Sequence, residues 1–484
     1  MNLRGTAINS RWIALVVLCF GFLLIVVDST IVNVALPSIG RDLHFTQAGL
    51  AWVVNAYLIA FAGLLLLTGR LGDLVGRKRI FLVGLAVFTG ASVLCGLSIN
   101  QPMLVASRFL QGAGGAASSS VILAMIVNLF PEPDERARAF GLFGVVASAG
   151  AAIGLLAGGL ITQAISWHWI FFVNLPLGIA TAAAATWLLK DEPGIGLAEG
   201  ADAIGALLVT AALMLGVYTI VQSSDAGLAS LQTVGLGALA VALLAAFLVR
   251  QALISNPIMP LRLFRSRKFS GANVIQALMA GSFFGFFFMG ALDMQRVLGY
   301  GPLAIGLAFL PVAGVMGALG VRWSASLIIR FGPRTMLLVG LVLLGAALAW
   351  LGFGPLNGVY ARDLFIPLAL LGTGAGLSFP ALTMIAMSDA SPSDSGLASG
   401  IVNTTGQVGG ALGLAVLATL AGGRTSQLLA EGQGAAAALG GGYHFAWLVG
   451  AGMVAVTIVI AVALLRSENV AHMDGAREAD EAAA

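Results

Sequence analysis

Two charged residues lie inside long apolar runs, and they bear most directly on chemistry. Asp28 sits in LLIVVDSTIVNVALP and Arg108 in LVASRFLQGAGGAA. A charged carboxylate at the centre of a membrane helix costs about 2.5–3.5 kcal/mol on insertion scales, so such a residue faces a cavity or a partner. Removal from water favours the neutral acid. Asp28 is thereby suited to bind and release a proton, or to pair with a cationic substrate. A structural carboxylate bonded to Ser29 or Thr30 is the alternative. Arg108 keeps its charge under all ordinary conditions. It needs an anion or several carbonyls, and it can hold a nearby carboxylate poised for proton exchange. A helix-packing tie through Gln111 and backbone carbonyls is the alternative for Arg108.

Three other groups of residues qualify. The segment GRLGDLVGRKR contains Gly69, Asp73, Gly76, Arg77 and Arg79. Its glycines permit a tight turn between helix ends, and Asp73 can face a positive helix N-terminus. Anchoring at a cytoplasmic surface explains Arg70, Arg77, Lys78 and Arg79 but neither Asp73 nor the glycine spacing, so the loop is a candidate gating latch. The run GAAIGLLAGG carries Gly150, Gly154, Gly158 and Gly159. Four-residue spacing places the first three on one stripe, where another helix can approach closely. Candidate pocket residues are Asn33, Trp52, Asn55 and Tyr57, with Gln276, Phe284 and Phe287 further on.

The elements that must hold these residues are membrane helices. The chain is 59% hydrophobic and 9% charged, against about 25% charged in ordinary soluble domains. Its apolar blocks reach the length of about 20 residues that crosses a hydrocarbon core. The fold class expected is all-α: a polytopic membrane protein of about fourteen spans, near 12–36, 49–69, 80–98, 102–129, 138–164, 168–188, 203–222, 232–254, 270–294, 302–323, 335–354, 363–388, 395–421 and 443–465. The first is read as an uncleaved helix rather than a signal peptide. With the N-terminus inside, the 24 Lys+Arg divide as eighteen in inner segments, four (Arg41, Arg296, Arg362, Arg424) in outer ones, and Arg108 and Arg322 within spans. The positive-inside rule then puts both termini in the cytoplasm of a cell with this protein in its plasma (inner) membrane.

The chain also repeats itself. GRLGDLVGRKRIFLVGL at 69–85 aligns without gaps to ASLIIRFGPRTMLLVGL at 325–341, six positions being identical. A weak repeat at equivalent topology marks a transporter of two similar halves with its substrate site between them. The expected division is 1–190 as the first six-helix half, 191–255 as an inserted helix pair, 256–466 as the second half, and 467–484 as a cytoplasmic tail. Asp28 and Arg108 are then expected to mark an aqueous path between the halves. Cys19 and Cys95 lie in apolar blocks and read as packing residues. None of the four histidines is paired at metal-binding spacing, and no lysine follows a glycine as a phosphate loop requires. A catalytic nucleophile turn of the form Gly-x-Ser-x-Gly is absent from the sequence.

Several segments resemble the major facilitator superfamily, and within it the fourteen-helix drug:proton antiporter branch. GRLGDLVGRKR is similar to the superfamily's loop motif, and LVASRFLQGAGGAA to its motif around a buried arginine. LLIVVDSTIVNVALP, WHWIFFVNLPLG and NPIMPLRLFRSRKF resemble segments of the fourteen-helix branch. The resemblance implies that Asp73 meets the cytoplasmic start of the thirteenth helix, that Arg108 takes part in proton coupling, and that Asp28 binds proton or substrate. Two positions depart from the pattern: Leu155 stands where the antiporter motif usually has proline, and Ile329 replaces the aspartate in the second loop copy. The expected function is proton-coupled antiport that exports hydrophobic or amphipathic, often cationic, compounds by alternating access. The alternative is an exporter or importer of a single metabolite. The partners expected are a small-molecule substrate, protons and the lipid bilayer, with no nucleic acid, no cofactor beyond the proton gradient, no enzymatic activity, and a monomeric state.

Overall fold

The computed structural model describes residues 3–464, apart from 192, 195, 197–201, 228, 256, 357 and 389–394. The expected tail at 467–484 lies outside these residues. Among the described residues the regular elements are all helices. In chain order they are α1 (Leu3–Asp42), α2 (Gln47–Val75), α3 (Arg77–Gly96), α4 (Gln101–Leu129), α5 (Pro133–Ala164), α6 (Trp169–Phe172), α7 (Asn174–Leu188), α8 (Ala203–Ala226) and α9 (Leu231–Leu253). Then follow α10 (Arg267–Arg296), α11 (Pro302–Ala318), α12 (Ser324–Phe331), α13 (Pro333–Gly352), α14 (Phe365–Met387), α15 (Ser395–Ala430) and α16 (Ala435–Leu464).

Twelve helical stretches among the described residues are long and apolar enough to cross a membrane, and Ala149–Ala164 and Pro302–Ala318 are shorter apolar helices. These two belong to α5 and α11, both expected as spans. Helix α5 as a whole runs from Pro133 to Ala164, and α11 passes through a π-helical turn at Leu319–Trp323 into α12, which carries Arg330. The expected sixth span is one apolar stretch, Trp169–Leu188, in which α6 and α7 meet at Val173 with helical backbone angles.

Packing divides the helices into two groups. In the first, α1 packs on α5 and α7, α2 on α4, and α3 on α4 and α7. In the second, α10 packs on α15 and α16, α13 on α14 and α16, and α11 on α14. The seam between them is made by α2 with α15, α5 with α11, and α1 with α10. Helix α8 touches both α2 and α15, so it lies along the seam with α9 outside it. Thr419 of α15 donates to the Ile220 carbonyl of α8 at 3.3 Å.

The α8–α9 pair is tied at its loop-facing end by a buried aspartate. Asp202 caps α8 through the Gly205 N–H at 2.8 Å and accepts from Arg250 Nε and Gln251 Nε2, each at 2.6 Å. Burial alone would raise the Asp202 carboxyl. The hydrogen bonds from Arg250, Gly205 and Gln251 outweigh that and hold it below its ordinary value. Gln251 in turn accepts from the Met259 N–H at 3.0 Å, fastening the hairpin to the segment that enters the second half.

The two copies of the loop repeat occupy matching junctions. Gly76 alone separates α2 from α3, with φ +113°, and Gly332 alone separates α12 from α13, with φ +82°. Only glycine takes such backbone angles without strain. Gly76→Ala is expected to cost about 1–3 kcal/mol, read as a lowered thermal unfolding midpoint in detergent. Gly90→Ala in α3, whose added Cβ meets nothing within 4 Å, is the control expected to be neutral or stabilising. Equal midpoints for Gly76→Ala and wild type would contradict the strained junction.

Candidate functional site

Asp28 on α1 and Arg108 on α4 form a buried ion pair. Arg108 Nη1 donates to Asp28 Oδ2 at 2.6 Å, and the two residues are 1% and 0% exposed. An ion pair survives such burial only when its remaining lone pairs and protons are also satisfied. Here Gln111 Nε2 and Asn174 Nδ2 donate to Asp28 Oδ1 at 2.7 and 3.1 Å. Arg108 Nε donates to the Val53 carbonyl of α2 at 2.9 Å, and Nη1 also reaches Gln111 Oε1 at 2.7 Å. The guanidinium lies 4.4 Å from the centroid of the Tyr57 ring, a cation–π contact. Asn174 also donates to Ser92 Oγ, which donates to the Phe171 carbonyl.

The sequence offers a local reason for each placement. Asn174 opens α7, and its buried amide reaches both Asp28 and Ser92. Gly112 and Gly115 follow Arg108 at helical spacing. A Cβ at Gly112 would strike the Tyr57 backbone, and one at Gly115 would come within 3.0 Å of the Tyr57 hydroxyl oxygen. These glycines let α2 lie close enough to present both the Tyr57 ring and the Val53 carbonyl to Arg108.

Every partner of the pair comes from α1, α2, α4 or α7, so the pair lies inside the first half. This corrects the expectation that Asp28 and Arg108 mark a path between the halves. The guanidinium finds its carboxylate, amide and carbonyl partners within one bundle.

The link from this site to the seam is α5. Gly150 lies against Leu23 and Val26, Gly154 against Thr30 and the Val27 carbonyl, and Gly158 against Ile31, all on α1. Asp28 is flanked by this contact. Gly159 points elsewhere: a Cβ there would stand 2.7 Å from the Pro302 carbonyl oxygen and 2.8 Å from Leu303 Cα, on α11. Leu155 is 1% exposed, and its carbonyl lies against Gly306 of α11. With leucine rather than proline at 155, α5 runs through as one helix from Pro133 to Ala164. Near its end Gln163 Oε1 accepts from the Leu303 N–H at 3.2 Å.

The expected pocket residues are not gathered round one cavity. Tyr57 belongs to the Arg108 site. Asn55 is fully buried with both amide atoms unpaired, and the Tyr57 hydroxyl is also unpaired. Asn33 donates back to the Ser29 carbonyl of its own helix, and Trp52 is half-buried. Gln276 and Phe284 lie against Gly406 and Gly410 of α15. Phe287 belongs to an aromatic cluster with Phe283, Phe286 and Phe309.

In the loop, Asp73 Oδ1 accepts from Arg77 Nη2 at 2.9 Å and Nε at 3.2 Å. Gly69 lies near Ser120, and Arg79 is exposed. The expected contact of Asp73 is with the start of the thirteenth span, α15, whose first side chains, at 395–397, lie outside the described residues.

The profile of the Major Facilitator Superfamily matches residues 18–414. The chain belongs to that superfamily. It is a multi-pass membrane transporter. The chain is 36% identical over 467 residues to the puromycin resistance protein of Streptomyces alboniger, covering 95% of this chain and 92% of that one. It is 37% identical over 432 residues to the cephamycin export protein of Amycolatopsis lactamdurans, covering 88% of each. Among solved folds, a bacterial homolog of the human lysosomal transporter Spinster, inward-facing and unoccupied, superposes with a TM-score of 0.68 at 16% identity, covering 95% of this chain and 99% of that one.

Removing one member of this buried ion pair leaves the other uncompensated, at a cost of about 3–5 kcal/mol. Arg108→Ala is therefore expected to lower the unfolding midpoint in detergent sharply, and adding Asp28→Asn to recover part of the loss. A single mutant as stable as wild type would show that the pair is not formed.

Proposed function

We propose that this chain is a proton-driven exporter of hydrophobic or amphipathic, often cationic, compounds. The observation that carries the reading is the Asp28–Arg108 pair, sealed inside the first half yet flanked by the glycine stripe of α5, which continues to α11 in the second half. The names of related proteins, which concern resistance and export, support the same reading. In the complete arrangement α5 and α11–α12 each cross the membrane, giving fourteen spans in two six-helix halves, with α8 and α9 as the inserted pair. Both termini lie on the cytoplasmic side of the cell membrane, as the basic residues favour.

The cycle follows from the charge of Asp28. Ionised, it is held by Arg108, Gln111 and Asn174. Protonation removes the charge that Arg108 balances and loosens α1 from α4. Helix α5 packs on α1 through glycines with no side chains to absorb a shift, so movement of α1 is passed to the α5–α11 contact and the halves reorient. A proton crossing with the membrane potential supplies about 2.3 kcal/mol per 100 mV. The Asp73–Arg77 pair acts at the cytoplasmic face as a latch toward the start of α15. The second loop copy, with Ile329, has no such acid.

A second reading, a dedicated exporter of one compound, draws on the single antibiotics in the relatives' names. The deciding experiment is transport into inside-out vesicles energised by a proton gradient, with puromycin and several cationic dyes. Wild type is expected to accumulate more than one of them, and Asp28→Asn none, at equal expression. Accumulation by Asp28→Asn equal to wild type would remove Asp28 from the mechanism, and uptake of one compound alone would favour the dedicated exporter.

A further inference from the structure

A second carboxylate, Asp293, is buried in the other half and is used by nothing described so far. It lies on α10 and is 4% exposed, and its Oδ1 is buried without a hydrogen-bond partner. Three features of its surroundings disfavour a charge there. A carboxylate with an oxygen removed from water and left without a partner is costly and tends toward the neutral acid. Asp293 sits in the last turn of α10, at the negative end of the helix dipole, where an anion is further destabilised. The neighbouring charges are also occupied or turned away.

Arg296 is less than one turn further on, but its Nη2 lies instead beside Gly40 of α1, 3.3 Å from where a Cβ would stand. On α16, the fully buried Tyr443 lies within reach of both Arg296 and Asp293, and its hydroxyl engages Arg296. On α15, Arg424 donates to Gln427 at 2.8 Å. Arg362 and Asp363, which precede α14, pair with each other at 2.8 Å. On α1, Asp42 accepts from Trp167 at 2.8 Å, and Arg41 is exposed. Helix α11 carries no ionisable residue, and Tyr360, near it, donates to the Ala308 carbonyl.

The place of Asp293 along the helix also differs from that of Asp28. The contact of Arg296 with Gly40 sets the end of α10 beside the end of α1, opposite the face that carries the Gly76 loop. The distribution of basic residues makes this the outer face. Asp28 lies 14 residues before the end of α1 and Asp293 three before the end of α10, so Asp293 is the shallower by about 16 Å at 1.5 Å per residue.

We propose that Asp293 is a second proton-binding carboxylate, in the second half, loaded from the outer medium and separate from the Asp28 site. The step is a simple protonation: a carboxylate oxygen takes a proton from hydronium, leaving neutral acid and water. Because Arg296 touches Gly40, the charge lost at Asp293 is felt where α10 meets α1. The direction of loading rests on the proton-driven reading above, but the existence of the site does not.

Infrared titration of the purified protein without substrate tests the site by itself. Near neutral pH the carbonyl band of a protonated carboxylic acid is expected in wild type and in Asp28→Asn, but not in Asp293→Asn. Asp293→Glu should restore it at a shifted position. An unchanged band in Asp293→Asn, or no band in wild type, would overturn the proposal. If Asp293→Asn does not fold, the glutamate variant decides: a band that does not move rules out Asp293 as its source. In vesicles, Asp293→Asn is expected to shift the pH profile of transport by about one unit, a tenfold change in proton affinity, and an unshifted profile counts against the site. If wild type shows the band but no dependence on a proton gradient, the proton-driven reading fails while the site stands.

Discussion

Arg108 cannot shed its charge, and inside an apolar bundle that fact governs everything near it. The guanidinium must be met by an anion, and Asp28 supplies it at 2.6 Å. The anion in turn must be held from its other side, which Gln111 and Asn174 do. Four helices of the first half, α1, α2, α4 and α7, are fixed relative to one another by these few contacts. In the proposed cycle the same network is what protonation switches. A pair that is stable only while ionised becomes a poor fit as soon as one partner is neutralised, because the desolvation cost remains and the attraction does not.

In the proposed cycle glycine carries this local charge change across the molecule. The stripe at Gly150, Gly154 and Gly158 seats α5 on the segment of α1 that bears Asp28, and Gly159 seats the same helix on α11 across the seam. Close-packed backbones transmit displacement because they hold no void in which to lose it. The inserted hairpin contributes differently. Helix α8 lies over both α2 and α15, two helices that belong to opposite halves, and its Asp202 clamp ties it to the loop entering the second half. It braces the seam from outside without placing a residue near the Asp28 pair.

Much of this was legible in the residues. An aspartate and an arginine in apolar runs announced themselves by their desolvation cost, and four-residue glycine spacing announced a close helix contact. The single-glycine junctions at Gly76 and Gly332 were legible through the repeat that contains them. Other features were not. Nothing in the spacing of Asp28 and Arg108, 80 positions apart, says that they bond to each other rather than face a shared cavity. Asn174 is a polar residue in a span, and nothing in its sequence position says that its amide bonds Asp28, 146 positions away. Asp293 falls close enough to a helix end to pass for an interfacial residue, and only the packing of α16 over it shows the burial. Gly159 looks like part of the stripe, but one further residue turns it about 100° round the helix, toward a different neighbour.

The central claim is that Asp28 alternates between a protonated state, freed from Arg108, and the ionised pair, and that binding of a cationic compound favours the ionised one. The most direct measurement is proton release on ligand binding, in purified protein held in weak buffer and read with a pH-sensitive dye. Addition of a lipophilic cation such as tetraphenylphosphonium is expected to release protons from wild type and from Asp293→Asn, but not from Asp28→Asn. Equal release from Asp28→Asn, or binding to wild type with no release at any pH, would contradict the account.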